Sequence, residues 1–227
     1  MNFGRVISEA TPLLLQGLRY TLIVSLIGIV IGIVIGLVMC LMNMSKNKLL
    51  RSIAGVYIWI IRGTPMLVQA YFVFFGFPQL LQLLIPGFRL EAFSAGIITL
   101  SLNAGAYLAE IFRSGIQAVP KGQTEAARSL GLSSSKTMMK VVLPQAFKIT
   151  IPSLVNQFII SIKDTSILSA IGLAELTNMT KQYVGKSYEF FASYVYLAVF
   201  YLVIVSLLMI LSNYIEKRLK YERKSNS

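Results

Sequence analysis

Residues 17–42 form an apolar run broken only by Arg19 near its start. A helix needs about 20 such residues to cross the roughly 30 Å hydrocarbon layer of a bilayer. A segment apolar on every side has no place in a small soluble core. Four further stretches reach that length, at about 65–85, 92–112, 149–173 and 190–213. A semi-apolar approach over 52–61 leads to the second and is interrupted by Arg62-Gly63-Thr64-Pro65. Only 13% of the 227 residues are charged and 56% are hydrophobic, about half the charge of a soluble domain. The first run is longer than a signal-peptide core and lacks a clear small-residue cleavage site, so it reads as a retained span. The expected fold is all-α, with five transmembrane helices in a single domain over 1–227.

Orientation follows from the basic residues, which accumulate on the inner side of a membrane. Lys46, Lys48, Arg51 and Arg62 follow span one, and Arg113, Lys121, Arg128, Lys136, Lys140 and Lys148 follow span three. Lys217, Arg218, Lys220, Arg223 and Lys224 fill the tail. These alternate segments hold fifteen of the 21 Lys and Arg, against Arg5, Arg19, Arg89, Lys181 and Lys186 on the other side. The expected topology places the N-terminus outside and the C-terminus in the cytoplasm. The net charge of +12 is therefore a topological signal rather than a nucleic-acid footprint.

Several chemistries lack their residues. There is no histidine, hence neither the commonest metal ligand nor the usual general base. Cys40 is the single cysteine and sits in an apolar run, so an intrachain disulfide is impossible. No GxxxxGK[ST] phosphate loop occurs. If ATP drives this protein, a separate subunit must bind it.

The connector over 113–148 is the least membrane-like part of the chain. Residues 124–130 are largely good helix formers, and Gly131 follows where a helix end favours glycine. It reads Glu125-Ala126-Ala127, three residues, Gly131, nine residues, Val141, one residue, then Leu143-Pro144. In this it resembles the transmembrane subunits of bacterial ABC importers, whose signature carries isoleucine at the position of Val141. Arg62-Gly63-Thr64-Pro65, the set Asn103, Gly105, Ala106, Tyr107, Ala109, Glu110, Ile111 and Arg113, and Lys163-Asp164-Thr165-Ser166 resemble motifs of the polar-amino-acid branch. The resemblance implies a type I importer permease with a cytoplasmic coupling helix at about 122–131 that docks into the ATPase subunit. Glu125, Ala126, Ala127, Gly131, Leu143 and Pro144 would carry that coupling. It further implies a dimer of permease subunits (homodimer or paralogue pair), two ATPase subunits binding ATP and Mg, an extracytoplasmic substrate-binding protein, and a bacterial cytoplasmic membrane. No cofactor is expected in this chain. The plain alternative for the loop is an ordinary surface helix.

The intramembrane polar residues can also be read directly. A charge at bilayer depth costs at least about 2.5–3.5 kcal/mol and normally faces a partner or a watery cavity. Asn103, Tyr107 and Glu110 share one helix face, and Lys163, Asp164, Thr165 and Ser166 cluster in span four. Glu110 or Asp164 could accept a substrate ammonium, while Lys163, Thr165, Ser166 or a broken-helix N-terminus could donate to its carboxylate. Two carboxylates favour a cationic amino acid such as arginine, lysine or histidine over glutamine or glutamate. The structural alternative pairs Asp164 with Lys163 or Arg62 and Glu110 with Arg113, and makes Asn103 an interhelical hydrogen-bonding residue. Gly28, Gly32 and Gly36 mark a smooth face for close packing, within the chain or across a dimer. Phe88, Tyr183 and Tyr188 are expected as interfacial anchors.

A secondary amino-acid carrier is the rival of another class, but such folds carry paired repeats, and five spans do not divide in two. A channel lacks a filter segment here. An intramembrane enzyme lacks a nucleophile with an evident base.

Overall fold

The computed structural model describes residues 2–225, and all their regular structure is helical. Helix α1 (Phe3–Asn43) opens the chain and carries the first apolar run. Helix α2 (Lys48–Gly63) is followed, after a break at Thr64 and Pro65, by α3 (Met66–Tyr71), a π-turn (Phe72–Gly76) and α4 (Phe77–Leu81). Both break residues are extended, and the axis turns by 108° there. Proline has no N–H with which to continue the helix. Next come α5 (Ala92–Gln117), α6 (Lys121–Ser129) and α7 (Ser134–Thr137). A second π-turn (Met138–Val142) then leads into α8 (Leu143–Asp164) and a 3-10 segment (Thr165–Ile171). Helices α9 (Leu176–Ser187) and α10 (Phe190–Ser225) complete the chain.

Four of these units are long and apolar enough to cross a membrane, and the bent pair α2 with α3–α4 passes the same test when its two parts are taken together. The expected second span is thus preceded by α2, which takes in the approach over 52–61 together with Arg62 and Gly63 and is separated from it by the bend at Thr64 and Pro65.

The glycine face of α1 packs within the chain. Its glycines lie against α5: Gly28 on Leu100, Gly32 on Ala104 and Gly105, and Gly36 on Leu108 and Ala109. A methyl at Gly36 would come 2.7 Å from Leu108 Cβ and 3.0 Å from Ala109 N. Two to three turns nearer the start of the chain, Gly17 abuts the backbone of Glu175 and Leu176, and Thr21 accepts a hydrogen bond from the Leu176 N–H. One small-residue face thus seats α1 on both α5 and the start of α9. Tyr183 departs from its expected anchor role: it is buried, and its hydroxyl donates to Glu9 of α1. Tyr188 is exposed.

Candidate functional site

Helix α5 presents Asn103, Tyr107 and Glu110 along one side, as the seven-residue spacing requires. The break after α2 meets that stripe twice. The Arg62 guanidinium lies 5.5 Å from the centre of the Tyr107 ring and 3.6 Å from Glu110 Oε2. One turn into α3, Gln69 accepts a hydrogen bond from Asn103 Nδ2 at 3.0 Å. Arg113 closes on Glu110 from the same helix, with Nη2 donating to Oε2 at 2.7 Å and Nε to Oε1 at 3.1 Å. Glu110 therefore faces two guanidinium groups, one in bidentate geometry, the strong form of such a pair. Beside this cluster lies a recess of about 490 Å³ between α5 and α8, lined by Arg62, Tyr107, Glu110, Ser114, Thr150 and Ser153 among others. Its volume falls within the range of small-molecule sites.

The span-four candidates form a second cluster. Asp164 ends α8 and is half-buried, and among the described residues it enters no ion pair. Thr165 and Ser166 donate their hydroxyls back to the Ile162 and Lys163 carbonyls, and Lys163 is exposed. Helix α3 and helix α5 both pack on the Thr165–Ile171 segment that follows α8. The heights of the two clusters can be compared because Gly115 of α5 abuts Ala146 and Thr150 of α8. At 1.5 Å per residue, Asn103 stands roughly 18 Å from that contact, Asp164 roughly 21–27 Å, and Glu110 roughly 8 Å. Gln69 is joined to Asn103 at its level, and Asp164 lies farther from α6 than Glu110 does. Arg62, Tyr107 and Glu110 share a level nearer α6.

At that end, α6 closes as the glycine signal predicts. Gly131 has φ +81°, the Leu132 N–H reaches the Ala127 carbonyl, and the Gly131 N–H reaches Arg128. This double closure needs a left-handed residue at its corner. Ala127 is buried, while Glu125 and Ala126 face outward, and Leu143 and Pro144 form the base of α8. Leu130, next to the corner, is 84% exposed.

Sequence reasoning missed Gln69, although a polar side chain one turn past a helix-breaking proline is a usable signal. It also missed Glu175, which is fully buried and caps α9. Its carboxylate accepts from the Thr177 and Asn178 N–H groups at 2.9 and 2.7 Å and from the Tyr201 hydroxyl at 3.1 Å. Burial pushes the Glu175 carboxyl up from its ordinary range, against the opposing pull of those donors.

Comparison with known proteins agrees with this architecture. Residues 5–221 match the family described as the binding-protein-dependent transport system inner membrane component. The glutamine transport system permease of Escherichia coli (strain K12) is 38% identical, over 93% of this chain and 94% of that one. The arginine transport system permease of Bacillus subtilis (strain 168) is 37% identical, over 97% and 98%. The L-cystine permease of the same organism is 39% identical, over 92% and 87%. Among solved structures, an amino acid ABC transporter crystallised with histidines superposes with a TM-score of 0.90 at 39% identity, covering 96% of this chain and 99% of that one. These relatives are transport subunits rather than enzymes, and their names span charged and uncharged substrates at nearly equal identity. The chain belongs to the binding-protein-dependent inner membrane components, within their amino-acid ABC permeases.

Proposed function

We propose that this chain forms the translocation path of an ATP-driven importer for polar amino acids, with the path running along the α5 stripe. The observation that carries the reading is the recess between α5 and α8, where Arg62, Tyr107 and Glu110 meet Ser114, Thr150 and Ser153. Two permease subunits pack about a two-fold axis and sit on two ATPase subunits that hold ATP and Mg. An extracytoplasmic binding protein delivers the substrate. The α6 end faces the cytoplasm of a bacterial cell, as the basic residues indicate. Movement follows alternating access.

The substrate class turns on which carboxylate is available. A preference for a cationic side chain rests on two free carboxylates, and Glu110 is occupied by Arg113 and Arg62. Among the described residues Asp164 enters no ion pair, and it lies farther from α6 than Glu110, which makes it the acceptor for the α-ammonium group common to all amino acids. The geometry thus supports a zwitterion with an uncharged polar side chain, of the glutamine kind, over arginine.

Uptake by the complex reconstituted with its ATPase and binding protein tests this. Asp164→Asn should lower uptake of glutamine and arginine alike by tenfold or more, the scale of losing a buried charge partner. An Asp164→Asn complex that transports at the wild-type rate would remove the assigned acceptor. Wild-type preference for arginine over glutamine would reverse the substrate class.

A further inference from the structure

The geometry points to Gln69 as a positioning residue that holds Arg62 on Glu110 and so sets the charge preference of the path. This rests on the reading of the α5 stripe given above. In a continuing helix the Ile61 carbonyl would accept from the N–H of residue 65, but Pro65 has none. The Gln69 amide takes that place. Its Nε2 donates to the Ile61 carbonyl at 2.8 Å and reaches the Thr64 carbonyl and hydroxyl at 3.0 Å each. Its Oε1 accepts from Asn103 at 3.0 Å. One side chain therefore closes the broken backbone and ties it to α5.

Water is a poor substitute for it there. Gln69 lines an apolar recess of about 480 Å³ with Ile61, Val68, Phe72 and Leu102, and backbone carbonyls left unpaired in such surroundings are costly. Arg62 immediately follows Ile61, and its reach to Tyr107 and Glu110 depends on where the break sits against α5. With Gln69 in place, Glu110 is held by two cations and offers little to a cationic substrate. Without it the break loses its anchor, Arg62 swings away, and Glu110 regains attraction for positive side chains.

The test is a double-mutant cycle on the reconstituted complex, reading the ratio of kcat/KM for arginine to that for glutamine. Gln69→Met keeps the volume and removes all four hydrogen bonds. Gln69→Glu keeps the acceptor for Asn103 but turns a carboxylate on the Ile61 and Thr64 carbonyls, and serves if the first variant does not assemble. Arg62→Gln removes the cation directly. Arg62→Gln and either Gln69 variant should each raise the ratio by roughly fivefold, the scale of a partly screened ion pair. The double variant should go no further than Arg62→Gln alone, because both changes act through one contact. An effect on the ratio that adds to that of Arg62→Gln, or equal losses for both substrates, would make Gln69 a structural prop and overturn the proposal. If Arg62→Gln itself leaves the ratio unmoved, the path reading fails and the proposal falls with it. Asp164→Asn tests the ammonium acceptor separately and does not depend on Gln69.

Discussion

Three side chains show how a single polar group can be fixed inside an apolar bundle. Glu110 is held by cations, Gln69 by the carbonyls of a broken helix, and Glu175 by two backbone N–H groups and a tyrosine hydroxyl. Glu175 carries a pH consequence. Burial raises its pKa in the folded protein above the unfolded value, so the native state binds that proton more tightly. The group's contribution to stability is full below the ordinary glutamate value of 4.5 and is lost as pH rises through the raised one. Melting temperature of the purified complex should therefore fall with pH across that window. Glu175→Gln should flatten the slope, and an unchanged slope would show that another group carries it. Of these partnerships, the sequence offered only the short-range pairing of Glu110 with Arg113. The contacts of Glu110 with Arg62, Gln69 with Asn103, and Glu175 with Tyr201 join residues far apart in the chain, and only tertiary packing chooses them.

Elements were more legible, because the bilayer imposes length and apolarity on each span before any tertiary contact exists. The α1 run, α5 and α10 follow that rule, and the closure of α6 at Gly131 follows from local turn chemistry. The bent α2–α3 pair was half-hidden, since α2 keeps a polar side and reads as an approach rather than a span. The glycine face of α1 was visible, but its partner was not, because close packing looks the same within a chain and between chains. That partner can now be tested by comparing two glycines. Gly36→Val would press on Leu108 and Ala109, and overpacking of this kind costs about 1–3 kcal/mol. Gly55 of α2 has open space around it, so Gly55→Ala should be neutral or stabilise by about 0.5–1 kcal/mol. Thermal unfolding in detergent should separate the two clearly. Equal tolerance at both positions would deny the α1–α5 seam its role.

Across the whole molecule, the proposed ATPase contact and the proposed substrate path are joined by one continuous helical column. Helix α6 packs on the π-turn Met138–Val142, which runs directly into α8, and α8 continues unbroken from Leu143 to Asp164. A displacement of α6 therefore reaches the base of α8 at Leu143 and Pro144 within a few residues, and α8 carries it toward the level of Asn103. On the proposed reading, Glu125, Ala126 and the exposed Leu130 meet the ATPase, while buried Ala127 holds α6 to the permease. Gly131 fixes the angle between them, and a side chain at its left-handed φ costs about 1–2 kcal/mol, more when β-branched. Gly131→Val should thus tilt α6 without unfolding the spans. Glu125→Lys and Leu130→Asp should leave the angle intact and weaken docking by charge reversal and by loss of an apolar contact. All three variants should insert and bind lipid as the wild type does, yet lose uptake in proteoliposomes, and ATP hydrolysis should no longer respond to loaded binding protein. Leu130→Asp should also release the ATPase during purification, whereas Gly131→Val should retain it. Wild-type uptake by Gly131→Val or Glu125→Lys would reduce α6 to an ordinary connecting helix and leave the column without a driver.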